Sequence, residues 1–591
     1  MDRRLSLTAL QQSGALSSVD VHLSELVSRL TKESRPEVKL AMALASQWPQ
    51  RGHVCADLQS LKTENLWESQ EYAPPEGSIE LPPFDSLQDS EAIGGPDDHT
   101  PFVLWQDRWL YLRRYWDYEC ELVTGLRAWL DQSDLPIFEP HVKELIAHLY
   151  GADTLDESDH QQQAALLASK SPFFILTGGP GTGKTTTVLR ILALLLNLNP
   201  DLQIALAAPT GKAALRLQES IALGLNDLPC DEAIKAKMPQ AAQTLHRLLG
   251  YRRNKTTFRH NAEHPLPHDL VVVDEASMMD LGLMAKLMRA LRPGARLILI
   301  GDREQLPSVD AGAVFGTLCA QGSPMPRVEL TRNYRFSQDT GIGALATAIR
   351  QGDADTSEHL LTETEDASCL LEPLPAPNQM LEALWLELQD FLRKLAESFE
   401  PEDAFAHLET LRVLCAHRTG PFGSEAINEL VHDLLGSRLR IPRSQRWFPG
   451  RPILITENDY AVELFNGDTG MILPWKGKLH AFFRSGDGSF RHIAPARLPA
   501  HESAYAMTVH KSQGSEFDEV LFILTDQPSR LLTRELLYTG ITRARSRVRI
   551  WSPSECLRAC VERPMERTSG LPAWFESWED TINPSTPQTV I

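Results

Sequence analysis

The chain has 591 residues, of which 42% are hydrophobic and 23% charged, and a formal net charge of −20. This length exceeds a single core and implies about four structural units, while so acidic a balance excludes a protein that coats nucleic acid by bulk attraction, although a narrow basic channel inside an acidic shell remains compatible with it. No apolar run approaches the roughly 20 residues that span a bilayer, the opening MDRRLSLTALQQSG lacks the apolar stretch of a signal peptide, and eight scattered cysteines suggest neither a disulfide framework nor a four-ligand zinc site, so a cytoplasmic protein with free buried thiols and no membrane contact is expected.

In chain order, residues 1 to about 145 carry no phosphate or metal motif and read as a helical accessory domain, with a Pro, Gly and acid-rich exposed loop at 72–100. The run WQDRWLYLRRYWDYE then places Trp105, Trp109 and Trp116 near helical spacing, which suits either a core-facing stripe or a protein-docking surface. An acidic linker follows at Asp153 to Asp159. From about residue 160, buried strands alternate with helices in the pattern of a parallel α/β sheet. Phe173 to Leu176 read as a strand, and Thr185 onward as a leucine-rich helix that Pro200 ends. Between them Gly178 to Thr185 fit G-x-x-x-x-G-K-[ST], completed by Pro180, Thr182 and Thr186. Gly178, Gly179, Gly181 and Gly183 let backbone N–H groups turn inward toward phosphate oxygens without a Cβ in the way. Lys184 adds the charge, and the Thr185 hydroxyl suits Mg²⁺.

A strand at Ile204 to Ala208 leads to a helix opening near Gly211, AAQTLHRLLG follows, and YRRNKTTFRHN reads as a basic hairpin. Leu270 to Val273 then deliver Asp274 and Glu275 to a strand's carboxyl end, where one acid can hold Mg²⁺ and its neighbour orient a water. A third buried strand, RLILIG, ends at Asp302 and Gln305, an amide able to donate to a γ-phosphate or an attacking water; LTRNYRF then offers Arg335 as a phosphate contact. A second α/β region begins near Leu411, continues through RPILIT and resumes at DEVLFIL and RVRIWS. It is interrupted by LFNGDTGMILPWKGKLHAFFRSGDGSFRHI, short alternating strands with turns at Asn466-Gly467 and Ser485 to Gly488. Thr508, His510 and Lys511 crowd into a strand-to-helix turn, and LLYTGITRARSRV reads as placing Arg543 and Arg545 on a helix start.

GGPGTGKTT, AAPTGKAA, TLHRLLG, VVVDEAS, IGDREQLPSV, LTRNYR, TVHKSQGSEF and YTGITRAR, in this order over about two thirds of the chain, resemble the motif series of superfamily-one DNA helicases. GGPGTGKTTT and LFNGDTG are further similar to the alpha-subunit group of exodeoxyribonuclease V. The resemblance implies two RecA-like parallel-sheet motor domains, at 160–345 (with the basic hairpin at 251–268) and 346–575 (with a small SH3-like β insert at about 463–500). It also implies a helical partner-docking domain at 1–145 and a flexible tail at 576–591. By the same resemblance a glutamine of HQQQAA, Gln161 or its neighbours Gln162 and Gln163, reads adenine. Lys184 and Thr185 hold phosphates and Mg²⁺, Asp274 is the metal ligand and Glu275 the general base, Gln305 senses the γ-phosphate, Arg335 and Arg543 reach it from across the cleft, and Gly514 and Glu516 join the nucleotide-facing set. Thr210, Lys212, Thr244, His246, Thr508, His510 and Lys511 would face single-stranded DNA. The implied activity is a 5′-to-3′ helicase driven by ATP and Mg²⁺, acting on single- and double-stranded DNA ends in double-strand break repair, with RecB-like and RecC-like partners and the nuclease in a partner. A stand-alone helicase and an ATP-binding regulatory subunit without unwinding activity are the competing readings.

Overall fold

The computed structural model describes residues 7–61, 87–131, 139–151, 156, 158–252, 255, 257–335, 341–362, 367–459, 461–485, 488–525 and 529–582. The N-terminal region is largely helical, with helices Leu7–Gln12, Ser18–Leu30, Pro36–Gln50, Arg113–Leu130 and Glu139–Leu149. Ser17 opens the second of these through a capping box with Asp20.

The same region also holds a four-stranded sheet in the order Ala56–Asp57, Trp109–Leu112, Phe102–Trp105, Ile93–Gly94, and this corrects the helical placement of the tryptophans. Gln106 and Asp107 turn the chain with φ of 53° and 51°, and Trp105 pairs directly with Trp109 across an antiparallel hairpin. A spacing of four, which a helix also produces, arises here because a three-residue loop returns two paired strand residues to one face. Trp116 alone lies on the following helix.

These rings are core. Trp105, Trp109 and Trp116 are buried together with Met284 and Leu287 of the helix Leu281–Ala290, and with Leu571, Phe575 and Trp578 of the helix Leu571–Ile582. Trp105 stacks on Trp574 with ring centroids 4.6 Å apart. The chain between 576 and 582 is thus helix rather than tail, with Trp578 only 2% exposed; residues 583–591 of the expected tail lie outside the described residues. The docking reading of the tryptophans gives way to packing that joins the N-terminal region, the first sheet's helices and the C-terminal helix.

The first lobe is a six-stranded parallel sheet in the order Arg327–Leu330, Phe173–Gly178, Arg296–Gly301, Leu270–Val273, Ile204–Ala208, Ala242–Thr244. Its central strands are buried along their length because helices cover both faces. The second lobe is a five-stranded parallel sheet in the order Cys369–Glu372, Ala544–Trp551, Phe517–Ile523, Leu411–Cys415, Ala506–Thr508. A third sheet is antiparallel, in the order Phe490–Ile493, Lys478–Arg484, Thr469–Trp475, Arg451–Ile455, His501–Ser503. RPILI, read in the sequence as a strand of the second α/β region, belongs instead to this β module, which extends beyond 463–500 on both sides. No strand forms at 251–268 among the described residues, and residues 253, 254 and 256 of the expected hairpin lie outside them.

Candidate functional site

The phosphate loop leaves the strand Phe173–Gly178 and enters the helix Lys184–Leu198, with Gly181 and Gly183 at φ of 78° and 83°. Glycine is needed here for a second reason, because a Cβ on Gly181 would stand 2.6 Å from Arg335 Cβ and one on Gly178 2.8 Å from the Leu330 carbonyl oxygen. The loop is braced from one side: Asn333 Nδ2 donates to Pro180 O at 2.9 Å, and the Tyr334 amide to Gly181 O at 2.9 Å. Within it the Thr182 hydroxyl donates to Gly179 O, and Lys184 Nζ donates to Gly178 O at 2.6 Å and Gly179 O at 3.0 Å, which sets the ammonium in the cup of the loop. Thr185 and Thr186 follow in the helix's first turn.

Asp274 and Glu275 emerge from Leu270–Val273 beside that cup. Glu275 has φ of 52°, a left-handed conformation that costs a non-glycine residue energy and that often marks functional positions, and its amide donates to Asp274 Oδ1 at 2.8 Å. Burial first, then the Glu275 charge, push the Asp274 carboxyl up, against the pull of Lys184 and Arg216. Two carboxylates held this close, facing an ammonium, fit a divalent cation, which would favour their ionised forms. Asp302 is buried and accepts from Gln305 Nε2 at 3.1 Å and from the Tyr538 hydroxyl at 3.1 Å. Among the described residues the buried Gln305 Oε1 has no hydrogen-bond partner, so its acceptor capacity is unmet.

The second lobe closes the other side. Tyr538 approaches the phosphate loop, since a Cβ on Gly179 would stand 3.0 Å from its hydroxyl; the Leu306 amide donates to Thr539 Oγ1 at 2.9 Å, and Gln513 Nε2 to Leu306 O at 2.8 Å. Arg543 is buried, with Nε on Thr539 O and Nη1 on Ser515 O. Burial lowers its affinity for the proton, while the nearby charges of Glu275 and Glu516 sustain it. It lies just past the helix Arg534–Ile541, at a helix end rather than a helix start, and Arg545 lies on the strand Ala544–Trp551.

Two further placements differ from expectation. Arg335 belongs to the first lobe, following Arg327–Leu330, and its Nη1 pairs with Glu516 Oε1 at 2.8 Å; it therefore reaches across the cleft to an acid of the second lobe. Glu516 also binds Arg216 and lies 3.6 Å from Arg545. Its burial favours the neutral carboxyl, but Arg216 and Arg335 outweigh this and hold the group at about 2. Gly514, with φ of 71°, lies against Ala213 rather than at the phosphate loop.

Gln161 separates from its neighbours by position. A Cβ on Gly183 would stand 2.7 Å from Gln161 Nε2, whereas Gln162 accepts from the Asp156 amide and Gln163 is exposed. The sequence reading missed Tyr334, which lies 58% exposed over Gly183, and Arg190, whose guanidinium contacts Gln161 Oε1 and the Tyr150 ring. The tyrosine of LTRNYR was the available signal.

The candidate residues for single-stranded DNA lie at helix starts that follow strands of the two parallel sheets. Thr210, Thr244 and Thr508 each cap a helix start through the side-chain oxygen, accepting from the amides of Ala213, Arg247 and Lys511. Thr244 and Thr508 end the edge strands of their sheets. Lys212 follows Thr210; burial, then Arg412, lower its ammonium to about 7 in spite of Glu409 and Asp468. Lys511 donates to Glu502 at 2.6 Å. His246 packs against Tyr251 and Phe258, and burial followed by the Arg567 charge lowers the His510 imidazole to about 4.

Two parallel-sheet lobes that enclose one phosphate loop, with acids from one side and a buried arginine from the other, define a two-lobed P-loop helicase. The AAA domain family matches residues 161–311, the UvrD-like helicase C-terminal domain residues 503–551, and the family described as RecBCD enzyme subunit RecD, N-terminal domain, residues 12–111. The chain belongs to the RecD family: it is 40% identical to RecBCD enzyme subunit RecD of Mycolicibacterium smegmatis over 94% of this chain and 97% of that one, and 34% identical to that of Haemophilus influenzae over 96% and 98%. It is also 36% identical to the ATP-dependent RecD2 DNA helicase of Deinococcus radiodurans, over 63% of this chain and 46% of that protein. Among solved structures, Bacteroides Pif1 helicase in complex with ADP-AlF3 and ssDNA aligns over 73% of this chain and 98% of that one, with 18% identity and a TM-score of 0.40. Among the described residues no helix is long and apolar enough to cross a membrane.

Proposed function

We propose that this helicase is one motor subunit of a RecBCD-type exonuclease, moving 5′ to 3′ on single-stranded DNA from duplex ends, with RecB-like and RecC-like partners in a cytoplasmic heterotrimer that repairs double-strand breaks by recombination. The nuclease belongs to a partner. The observation that carries the motor is the shared cleft, in which the Lys184 ammonium and the Asp274–Glu275 pair of the first lobe face Arg543 and Tyr538 of the second.

ATP with Mg²⁺ supplies the phosphoanhydride and its charge-neutralising metal. Lys184 and the loop amides would bind phosphate, Thr185 and Asp274 would hold the metal, Glu275 would take the proton of the attacking water, and Gln305 Oε1 would accept from that water and fix its direction. Arg543 adds positive charge where negative charge develops, a role worth roughly 10³ to 10⁵ in rate in phosphoryl-transfer enzymes. Arg335 links phosphate and Glu516, so the lobes share one charge network. Gln161 and Tyr334 hold the adenine. Thr210, Lys212, Thr244, His246, Thr508, His510 and Lys511 hold the backbone of the single strand, contacts that grip DNA without reading its sequence. As the cleft opens and closes, the two rows of contacts change their separation and the strand is moved.

Purified chain, alone and with RecB-like and RecC-like partners, should unwind duplexes with 5′ tails and not those with 3′ tails. Lys184→Gln should fold and lose DNA-stimulated ATP hydrolysis by orders of magnitude. Wild-type hydrolysis in that variant would remove the phosphate assignment, and unwinding confined to 3′-tailed substrates would overturn the polarity.

A further inference from the structure

The segment Ser515 to Phe517 of the second lobe brackets Arg543. Arg543 Nη1 donates to Ser515 O at 3.2 Å, and the Phe517 amide donates to Arg543 O at 2.8 Å, so Glu516 stands at the centre of the bracket. Its carboxylate, with the side chain only 7% exposed, is gripped from the first lobe: Oε1 accepts from Arg216 Nη2 and pairs with Arg335 Nη1 at 2.8 Å. The chain just before it rests on the first lobe as well. Gln513 Nε2 donates to Leu306 O at 2.8 Å, and a Cβ on Gly514 would stand 3.6 Å from Ala213 Cβ.

Arg216 has no part in the phosphate chemistry described above. It lies on the helix Gly211–Asp227, which Thr210 caps and which carries Lys212 in its first turn. Burial weakens the hold of its guanidinium on the proton, and the charges of Glu516 first, then Glu275 and Asp274, more than restore it, so the side chain stands within the field of the cleft acids. A charge-assisted bond from a guanidinium is about twice as strong as a neutral one, and its planar fork sets direction as well as charge. Here that bond joins a helix of one lobe to the backbone that holds the buried arginine of the other.

We propose that Arg216 is a positioning residue for ATP hydrolysis: by holding Glu516 it fixes the Ser515–Phe517 backbone and hence the place of the Arg543 guanidinium, and it ties that place to the helix that begins at the proposed single-strand contacts Thr210 and Lys212. This rests on the proposed role of Arg543 at the phosphate. A charged group misplaced by about 1 Å can cost about 100-fold in rate, so a residue that touches neither nucleotide nor water can still govern turnover through the bracket.

The test is steady-state hydrolysis by the full chain with ATP, Mg²⁺ and oligo(dT), with melting and ATP titration as controls of folding. Arg216→Ala should lower kcat by about 10- to 100-fold with little change in KM for ATP. Arg216→Lys, which keeps the charge without the fork, should recover part of the loss, and Glu516→Gln should lower kcat as Arg216→Ala does. The paired variant Arg216→Ala/Arg543→Ala should be no slower than Arg543→Ala alone, because the two residues act as one unit. Wild-type kcat in Arg216→Ala would overturn the proposal, as would losses that multiply in the paired variant. A loss in Arg216→Ala that Glu516→Gln does not share would overturn it in favour of a direct action on Asp274 and Glu275. If Arg543→Ala itself turns over at the wild-type rate, the reading of Arg543 at the phosphate fails, and the proposal with it.

Discussion

Glu119 offers the most direct measure of how the N-terminal region is fastened to the rest of the chain. Its carboxyl is fully buried, accepting from the Tyr111 hydroxyl at 2.8 Å on one oxygen and from the Ser569 hydroxyl at 2.7 Å on the other. Burial raises it from 4.5 to about 7, only partly opposed by the Ser569 and Tyr111 hydrogen bonds. Between those two values the folded state holds a proton that the opened state releases, so the stabilisation present below pH 4.5 is lost as pH rises through about 7. At about 1.4 kcal/mol per unit, the loss is on the order of 3 kcal/mol. Hydrogen exchange of the amides at 54–57 and 568–575, corrected for intrinsic rates, reports local opening of this junction. In the parent, opening should become a few hundredfold more favourable from pH 4.5 to pH 7. In Glu119→Gln, which cannot ionise, it should stay level across that range, so that the variant is the tighter of the two near neutrality. Parallel pH curves for the two proteins would refute the reasoning.

Arg543→Ala should slow hydrolysis far more than it weakens ATP binding, because its charge acts on the transition state; equal losses in titration and steady-state kinetics would show a ground-state contact instead. Lys212, held at about 7 in the free protein, should take up a proton when phosphate arrives. Single-strand affinity should therefore fall as pH rises from 6 to 8, and calorimetry in buffers of different ionisation enthalpy should detect the uptake; Lys212→Met should abolish both, and an unaltered pH profile would contradict this. A chain starting near Asp153 would uncover Phe575 and Trp578, which are 3% and 2% exposed in the intact protein, so it should aggregate. A soluble truncated chain with full ATP affinity would show that the shared core is dispensable.

The site was legible in the sequence wherever chemistry is carried by neighbours in the chain. Gly178 to Thr185 need only a strand before them and a helix after, and LVVVDE needs only four buried residues to bring two acids to a strand's end. What depends on distant partners was not legible. Glu516 gives no sign in TVHKSQGSEF that Arg216 and Arg335, from the other lobe, will surround it. Trp105 and Trp109 fit a helix and a hairpin equally, and Gln106-Asp107 lacks the glycine that usually marks a tight turn. RPILI has the apolar character of a buried parallel strand, and only its pairing with Thr469–Trp475 and His501–Ser503 assigns it to the β module.

The helix Leu571–Ile582 and the residues just before it pack against the first domain of the chain, with Trp574 on Trp105, Ser569 on Glu119 and the Val54 amide on Thr568 O. During synthesis the N-terminal region therefore leaves the ribosome more than 400 residues before the helix that covers it. At about 5–20 residues per second, Trp105, Trp109 and Trp116 wait on the order of half a minute or more with part of their surface open to water. The usual order, in which an N-terminal domain completes itself while the rest is still being made, is not open to this chain. Its first domain is the last to be finished, and an arrested or prematurely ended product leaves an aromatic face exposed for chaperones or proteases to engage.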